Sequence, residues 1–325
     1  PSPATKWSSK RCRIVEQATG QWLSWLHRNG GLDVKQRPEE RVTPERIEAF
    51  VKELQGRVAP ASVGMMIGAL KRMLDVVAPK VDWDWLTELY SDLKASAKPS
   101  RNKMAHMVSP EQVYDLGIGL MQEAREEDEQ GRPHAATKGR DGLMIATLAC
   151  CPVRIANLLQ IEIGRHLLFD TDRYSLAFSE EETKTGSELE SELPPALTPW
   201  VEEYLQVHRC KLIARANDPL PTRHLWIDRW GQPMAEHSIR AQIKSRTRDA
   251  FGRHIWPHLF RAIAATGLVD HAPEHFSVAP DLLGHSNDRT TRKHYLLSQG
   301  MQAHKVIQDA VLSGRAEAFA RLKKR

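Results

Sequence analysis

The stretch HLFRAIAATGLVDHAPEHFSVAPDLLGHSNDRTTRKHY, residues 258–295, decides how the chain is interpreted. Arg261 follows His258 by three residues, His285 follows Arg261 by 24, and Tyr295 follows His285 by ten. A tyrosine hydroxyl supplies an oxygen nucleophile, arginine presents a fixed fork of donors to phosphate oxygens, and histidine binds phosphate or moves a proton near neutral pH. Because no acidic metal-binding pair accompanies these side chains, they favour phosphoryl transfer without a metal ion.

Two upstream segments extend this pattern. The sequence CPVR at residues 151–154 ends in Arg154, and TKTG at residues 183–186 contains Lys184. With them, the chain from about Ser109 onward resembles the tyrosine recombinase family, also called the phage integrases. The resemblance assigns six catalytic residues, in the order that the family has them: Arg154, Lys184, His258, Arg261, His285 and Tyr295.

Three positions depart from the family pattern. Pro152 stands where a glycine usually precedes the first arginine, and Asn157 stands where an acid is usual. That acid commonly holds the first arginine, so we expect the support of Arg154 to differ here. An amide can still accept a hydrogen bond but carries no charge. Ala262 follows Arg261 where the family often has another histidine.

The resemblance implies a site-specific DNA recombinase or integrase. In such enzymes the tyrosine, here Tyr295, attacks a DNA phosphate and leaves a 3′-phosphotyrosine and a free 5′ hydroxyl. The two arginines and His285 would bind the phosphate, Lys184 would protonate the leaving oxygen, and His258 would exchange a proton with the tyrosine. We therefore expect no cofactor and no metal ion. The expected partners are double-stranded DNA and further copies of the chain, as a tetramer on DNA and as a monomer when free.

Other activities fit the same residues. A type IB topoisomerase shares the chemistry, although a small helical N-terminal region argues against it. A tyrosine-type transposase or telomere resolvase differs in its substrate. A DNA-binding relative that has lost catalysis also stays open, because Pro152 and Asn157 depart from the family pattern.

A metal site is the remaining alternative at these residues. His254 and His258 lie four residues apart, as do His271 and His275, and on a helix this is metal-ligand spacing. Pro257 lies between the first pair and argues against one regular helical turn there. No cysteine or acid completes such a site convincingly.

Hydrophobic periodicity predicts a mainly α protein with a small antiparallel β-sheet. By resemblance to the family's core-binding domain, we expect residues 1–98 to form a helical DNA-binding domain. Residues 99–107 are polar and basic and are expected to be a linker. Residues 108–325 would then form the catalytic domain and end in a helical tail.

Local signals place the elements. Helices are expected to begin at Thr43-Pro44-Glu45, at Pro60, and at Ser109-Pro110-Glu111-Gln112, which has a capping-box pattern. Residues 121–140 are charged and are predicted to be a solvated helix end and loop. Partial alternation predicts an antiparallel sheet over residues 167–193, with Lys184 in or near a turn and a further strand at Leu225-Trp226-Ile227.

The C-terminal tail is amphipathic. Its apolar face contains Val306, Ile307, Ala310 and Val311. Family members often dock such a tail on a neighbouring protomer, so we expect this face to join protomers. The alternative is a helix that packs on its own domain.

Composition sets the outer limits. The 325 residues carry a formal net charge of +5, with a pI of about 9.0, which is consistent with a nucleic-acid partner. No apolar run is long enough to span a membrane, and no signal pattern opens the sequence. Cys150 and Cys151 are adjacent within an apolar run, which favours buried free thiols. We expect a cytoplasmic protein that associates with the nucleoid when bound to DNA.

Overall fold

The chain forms two compact units, Pro1–Asn102 and Lys103–Arg325. A computed structural model describes residues 3–97, 104–184, 186–218, 221–271 and 307–315. The DNA-binding and catalytic roles expected of the two parts of the chain stay predictions.

Helices build the described part of the first unit. They are α1 Ser9–Arg28, α2 Pro44–Arg57, α3 Pro60–Val77 and α4 Asp84–Ser96. As predicted, the Thr43 hydroxyl caps α2, because it accepts a hydrogen bond from the backbone N–H of Arg46, and Pro44 occupies the first turn. The apolar faces of the helices form one core, in which the rings of Trp22 and Trp25 stack with centroids 5.3 Å apart.

The second unit combines helices with a small sheet. Its described helices are α5 Pro110–Glu129, α6 Ala135–Cys150, α7 Ile155–Leu159, α8 Thr198–Glu203, α9 Arg209–Ile213, α10 Glu236–Phe251, α11 Pro257–His271 and α12, residues 307–315. A π-helical turn, Tyr204–His208, joins α8 to α9. The strands are β1 Leu167–Asp170, β2 Arg173–Phe178 and β3 Leu189–Glu192. The predicted fold class, mainly α with a small antiparallel β-sheet, is confirmed.

Helices α5 and α6 form the centre of this unit. The predicted capping box at the start of α5 is confirmed: Ser109 Oγ accepts from the N–H of Gln112, and Gln112 Oε1 accepts from the N–H of Ser109. The two helices pack so closely that a Cβ on Gly117 would lie 2.7 Å from the backbone nitrogen of Ala146. A glycine is therefore required at that crossing, and α6 is buried along its length.

The prediction of a solvated helix end and loop at residues 121–140 is confirmed up to residue 134, where the end of α5 and the following turn are largely exposed, and is wrong for residues 135–140. Those last six residues belong to α6, which begins at Ala135 and is largely buried. Arg140 is buried. Its guanidinium donates to the Asp141 carboxylate at 2.6 Å and to the Ile227 carbonyl at 2.8 Å, and these partners offset the cost of burying its charge. A buried arginine requires such partners. The sequence pattern does not reveal them, so the charged residues suggested solvent.

The sheet lies in the order β1-β2-β3, with both pairs antiparallel. This confirms the antiparallel sheet expected over residues 167–193. A tight turn at Thr171, where φ is +57°, divides the first part of that stretch into two strands. The further strand expected at residues 225–227 is a wrong prediction, because Ile227 makes only an isolated bridge to Pro233 outside the sheet.

Helix α12 packs on its own unit. Ile307 and Val311 are each 1% exposed and belong to the core of the second unit, and Ala310 is also buried. The Arg315 guanidinium lies 2.7 Å from the Asp115 carboxylate of α5. The predicted intermolecular face is therefore wrong for these residues, and Val306 lies outside the described residues. The physical reason is that an apolar helix face is stabilised by whichever apolar surface covers it, and here the same unit provides one.

Other apolar segments also belong to cores. Cys150 and Cys151 are buried free thiols, as predicted. Within the parts of the chain that the structure describes, no helix combines the length and apolarity needed to cross a membrane.

Candidate active site

A break between α6 and α7 positions Arg154. Helix α6 ends at Cys150, with Cys151 as its C-cap. The next residue, Pro152, lacks an N–H and cannot extend the helical hydrogen-bond ladder. The N–H of Val153 instead donates to the carbonyl of Cys151 at 2.7 Å. Arg154 then has extended backbone angles immediately before α7. The first arginine of the predicted site thus lies at the start of a new helix, and Pro152 is compatible with the break before it.

Arg261 reaches the same break from α11. Its side chain is buried, and its Nη1 donates to the carbonyl of Pro152 at 2.9 Å. This contact joins two segments that are 109 residues apart in sequence. It fixes one edge of the guanidinium and leaves its other donors available, because arginine has five N–H groups in a planar fork.

Arg154 and Arg261 lie close enough for the charge of one to disfavour the charge of the other. Burial, followed by the nearby charge of Arg154, lowers the pKa of Arg261 to about 10. Burial also lowers the pKa of Arg154, which is half-buried. Among the described residues, neither guanidinium forms an ion pair with a carboxylate. A buried and a half-buried guanidinium that have no acidic partner in the described part of the chain favour the binding of an anion.

His258 lies one turn before Arg261. Helix α11 begins at Pro257, so His258 is in its first turn and its side chain is exposed. Residues three apart lie on the same side of a helix. The positive end of the helix dipole is at this terminus and favours negative charge beside it.

The alternative metal site gains no support from this geometry. Because α11 starts at Pro257, His254 precedes the helix and is not one helical turn from His258. No group of three or more histidine, cysteine or acidic side chains is arranged to hold a metal within the described residues. His275 lies outside them.

Lys184 is carried by the loop between β2 and β3. The loop begins with a single turn, Glu180–Glu182, in which Ser179 and Glu182 form a capping box. The side chain of Lys184 is exposed. This position agrees with the expectation of a lysine in or near a turn, and its assignment to catalysis stays a prediction.

Asn157 connects α7 to the lysine loop. Its side-chain amide donates to the backbone carbonyl of Glu182 at 3.2 Å, and the residue is 4% exposed. The side chain of Asn157 is therefore hydrogen-bonded to the loop that carries Lys184. Asn157, which stands where the family usually has an acid, thus donates a hydrogen bond that a carboxylate could not donate.

His166 and Glu182 adjoin the lysine loop and were not among the residues predicted from the sequence. The Nε2 of His166 lies 3.1 Å from Glu182 Oε1, and the histidine is buried. One signal in the sequence was available, because Ser179-x-x-Glu182 has the spacing of a capping box. No local pattern indicated His166. Two residues of the predicted site, His285 and Tyr295, lie outside the described residues.

Comparisons with known proteins agree with this architecture. Residues 120–300 match the Phage integrase family. Tyrosine recombinase XerD of Lacticaseibacillus casei is 23% identical over 261 residues, which cover 78% of each chain. The fold is similar to that of the XerH site-specific recombinase bound to palindromic difH substrate, in a post-cleavage complex. That likeness has a TM-score of 0.53 at 15% identity and covers 79% of this chain and 70% of XerH. The pre-cleavage complex of XerH with difH gives 0.52 at 14% identity, over 82% and 68%.

The family match extends over more than half of the chain and includes the break at Arg154, the lysine loop and helix α11. The chain therefore belongs to the phage integrase, or tyrosine recombinase, family.

Proposed function

We propose that this protein is a site-specific DNA recombinase that cleaves and rejoins strands through a 3′-phosphotyrosine intermediate. The observation that carries the proposal is the convergence of Arg154 and Arg261, from α7 and α11, without an acidic partner among the described residues. Such a pair suits the non-bridging oxygens of a phosphodiester, whose charge increases in the transition state.

The proposed reaction is an in-line transesterification. The Tyr295 oxygen forms a bond to the scissile phosphorus while the bond from phosphorus to the 5′ oxygen breaks. His258 takes the tyrosine proton, and Lys184 gives a proton to the leaving 5′ oxygen. The arginines and His285 hold the phosphate. Since one phosphodiester replaces another, the step conserves bond energy and runs backwards when a 5′ hydroxyl attacks the phosphotyrosine.

The proposal assigns no metal ion or cofactor to this chemistry. In many phosphoryl-transfer sites a metal neutralises the transition-state charge. Here Arg154 and Arg261 would provide that positive charge, and Lys184 would provide the proton. Cleavage would therefore depend on these side chains and not on a divalent ion.

The partners are proposed from the family and from its relatives. XerH was crystallised with a DNA substrate in both complexes similar to this fold. We propose that residues 1–98 form a DNA-binding domain that binds double-stranded DNA, that residues 108–325 form the catalytic domain, and that residues 99–107 are a linker. Recombination between two sites requires four cleavages, so the active assembly would be a tetramer on DNA.

A covalent-trapping experiment tests the proposal. The binding site is first selected from random DNA. A substrate nicked near the cleavage position then lets the short fragment with the new 5′ hydroxyl diffuse away, so that the covalent adduct cannot be religated. The wild-type chain should accumulate a covalent adduct to the same extent in excess EDTA and in magnesium. Tyr295→Phe should bind the DNA and form no adduct. Tyr174→Phe is the matched control, because Tyr174 lies on β2 against Phe169, and it should form adduct normally.

A second candidate is a DNA-binding relative without catalysis. It is favoured by one observation, the absence of the usual acid at Asn157, whose side chain contacts Glu182 instead. Specific DNA binding by the wild type, with no adduct on any nicked substrate, would establish that reading and end the proposal of catalysis. Relaxation of supercoiled plasmid without strand exchange would instead indicate topoisomerase activity.

A further inference from the structure

A general acid must be held close to the leaving atom, yet Lys184 is an exposed side chain on a loop. A misplacement of about 1 Å can cost on the order of 10²-fold in rate. A catalytic lysine on a surface loop therefore needs a loop whose backbone is fixed by the rest of the domain. The contacts around residues 179–187 provide such a fixation.

The loop is first closed on itself. The Thr183 hydroxyl accepts from the N–H of Ser187 at 3.1 Å and donates to the Ser187 carbonyl at 2.7 Å. At the other end, Glu182 Oε2 accepts from the N–H and the hydroxyl of Ser179 at 3.0 and 3.1 Å. Lys184 thus lies within the ring closed by Thr183 and Ser187, which directly follows the ring closed by Ser179 and Glu182.

The loop is then tied to the body of the domain through Glu182. Asn157 on α7 donates to the backbone carbonyl of Glu182. His166, which precedes β1, contacts Glu182 Oε1, and the exposed Arg165 guanidinium lies 2.5 Å from the same oxygen. Both the backbone and the side chain of the residue two positions before Lys184 are therefore held.

The tautomer of His166 is fixed by its second contact. The backbone N–H of Glu162 donates to His166 Nδ1 at 3.0 Å. A backbone N–H can only donate, so Nδ1 is the acceptor and Nε2 carries the proton that points at Glu182. His166 is buried and its ring stacks on Phe178 of β2, with centroids 5.1 Å apart. The loop is thus joined to a rigid ring rather than to a mobile surface side chain.

We infer that Asn157, His166 and Glu182 are positioning residues for Lys184, acting together to fix the lysine loop against α7 and the sheet. The inference rests on the proposed function, since it assumes that Lys184 protonates the leaving oxygen. It also gives the departure at Asn157 a role. A continuous connection thus runs from the phosphate-binding end of the site to the proton donor. The backbone joins Arg154 to Asn157 through α7, a hydrogen bond joins Asn157 to Glu182, and the backbone leads from Glu182 to Lys184.

The substitution Asn157→Asp distinguishes two roles for this position: fixing the lysine loop through Glu182, and holding Arg154 as the family's acid usually does. An aspartate restores an acid near Arg154 but places a carboxylate against the Glu182 carbonyl, where two acceptors repel. The inference predicts that Asn157→Asp lowers cleavage. Cleavage at or above the wild-type rate would overturn the role assigned to Asn157.

The leaving group provides a direct readout of lysine positioning. A substrate with sulfur in place of the scissile 5′ oxygen releases a thiolate, whose conjugate acid has a pKa of about 8.5 and which needs no proton donor. Variants that impair only the proton donor should therefore recover on the sulfur substrate. Variants that impair phosphate binding, such as Arg261→Lys, should not recover.

The test compares single-turnover cleavage of both substrates by Lys184→Ala, Asn157→Asp, His166→Phe and Glu182→Ala. His166→Phe keeps the ring that stacks on Phe178 and removes both nitrogens. Glu181→Gln is the matched control, since it removes a neighbouring exposed carboxylate that makes none of these contacts. Thermal melting establishes which variants fold.

On the oxygen substrate, the positioning variants should lose on the order of 10- to 10²-fold in rate, with Glu181→Gln unchanged. On the sulfur substrate they should return to within about threefold of the wild type, as Lys184→Ala should. If Lys184→Ala recovers and the folded positioning variants do not, the positioning role is wrong although the proposed function stands. If Lys184→Ala itself does not recover, or the wild type cleaves neither substrate, the proposed chemistry fails and the positioning role fails with it.

Discussion

At the scale of single residues, Arg154 and Arg261 place positive charge where the fold also excludes water. Burial and mutual repulsion together oppose the charged state of Arg261, which is why its pKa falls to about 10. A site of this kind costs stability in the free protein and regains it when an anion binds. A pair of guanidinium groups that destabilises the free protein is expected where the two arginines serve anion binding and not folding.

The first prediction separates these two effects. Arg154→Gln removes the like charge beside Arg261, so the free protein should keep or raise its melting temperature. Cleavage should fall by on the order of 10²-fold or more, as when other oxyanion donors are removed. Arg261→Lys should also fail to cleave, because it loses the planar fork. Melting curves and adduct yields measure both; normal cleavage by both variants would make the arginines structural.

Glu182 gives a prediction of pH dependence. Hydrogen bonding from His166, and then from the backbone of Ser179, lowers the pKa of Glu182 from 4.5 to about 2. A carboxylate with a lowered folded-state pKa adds stability above its ordinary pKa and loses it as pH falls. The unfolding free-energy difference between wild type and Glu182→Gln should therefore be full at pH 7 and narrow between pH 4.5 and 2. Urea titrations measure it, and a difference that is constant across this range would contradict the assigned contacts.

The candidate residues could be named from the sequence, and their catalytic roles stay predictions, whereas the partners of their neighbours could not be foreseen. The six candidate residues are assigned by the resemblance to the family, from residue types, order and spacing that local sequence can show. Asn157 was expected to differ in supporting Arg154, yet its amide meets a carbonyl 25 residues further along the chain. Such a contact depends on how α7 packs against the β2–β3 loop. Local sequence patterns do not encode that packing.

At the scale of elements, helix starts were predicted well because their signals are local. Thr43 and Ser109 cap the helices that their sequences indicated, since a side-chain oxygen satisfies a free N–H within three residues. Residues 135–140 and 307–315 were misjudged because charge and amphipathicity do not say which surface covers a helix. The burial of the Arg140–Asp141 pair and the position of Ile307 in the core both depend on packing against residues that are distant in sequence.

Helix α12 yields the corresponding prediction. Ile307→Ala should lower the free energy of unfolding by about 2–4 kcal/mol, because it removes a buried side chain from the core of the second unit. Asp309→Ala is the matched control on the exposed face of the same helix and should change it by less than about 0.5 kcal/mol. Equilibrium denaturation measures both. Equal, small effects of the two substitutions would show that α12 does not complete this core.

At the scale of the whole molecule, the chain joins a helical unit to a larger α and β unit and carries a net charge of +5. Phosphate contacts dominate the affinity of proteins for DNA and release counterions. Binding by the Tyr295→Phe variant, which avoids cleavage, should weaken by on the order of 10³-fold between 50 and 200 mM salt. Gel-shift titrations give the slope of log affinity against log salt, and a slope near zero would contradict a DNA-tracking surface.

The covalent linkage itself tests the central claim most directly. Mass spectrometry of the protease-digested wild-type adduct identifies both the tyrosine and the end of DNA to which it is joined. The account predicts one modified peptide, with Tyr295 esterified to a 3′ phosphate and a free 5′ hydroxyl on the released strand. An adduct on Tyr90, Tyr114, Tyr174 or Tyr204, or a linkage to a 5′ phosphate, would contradict it.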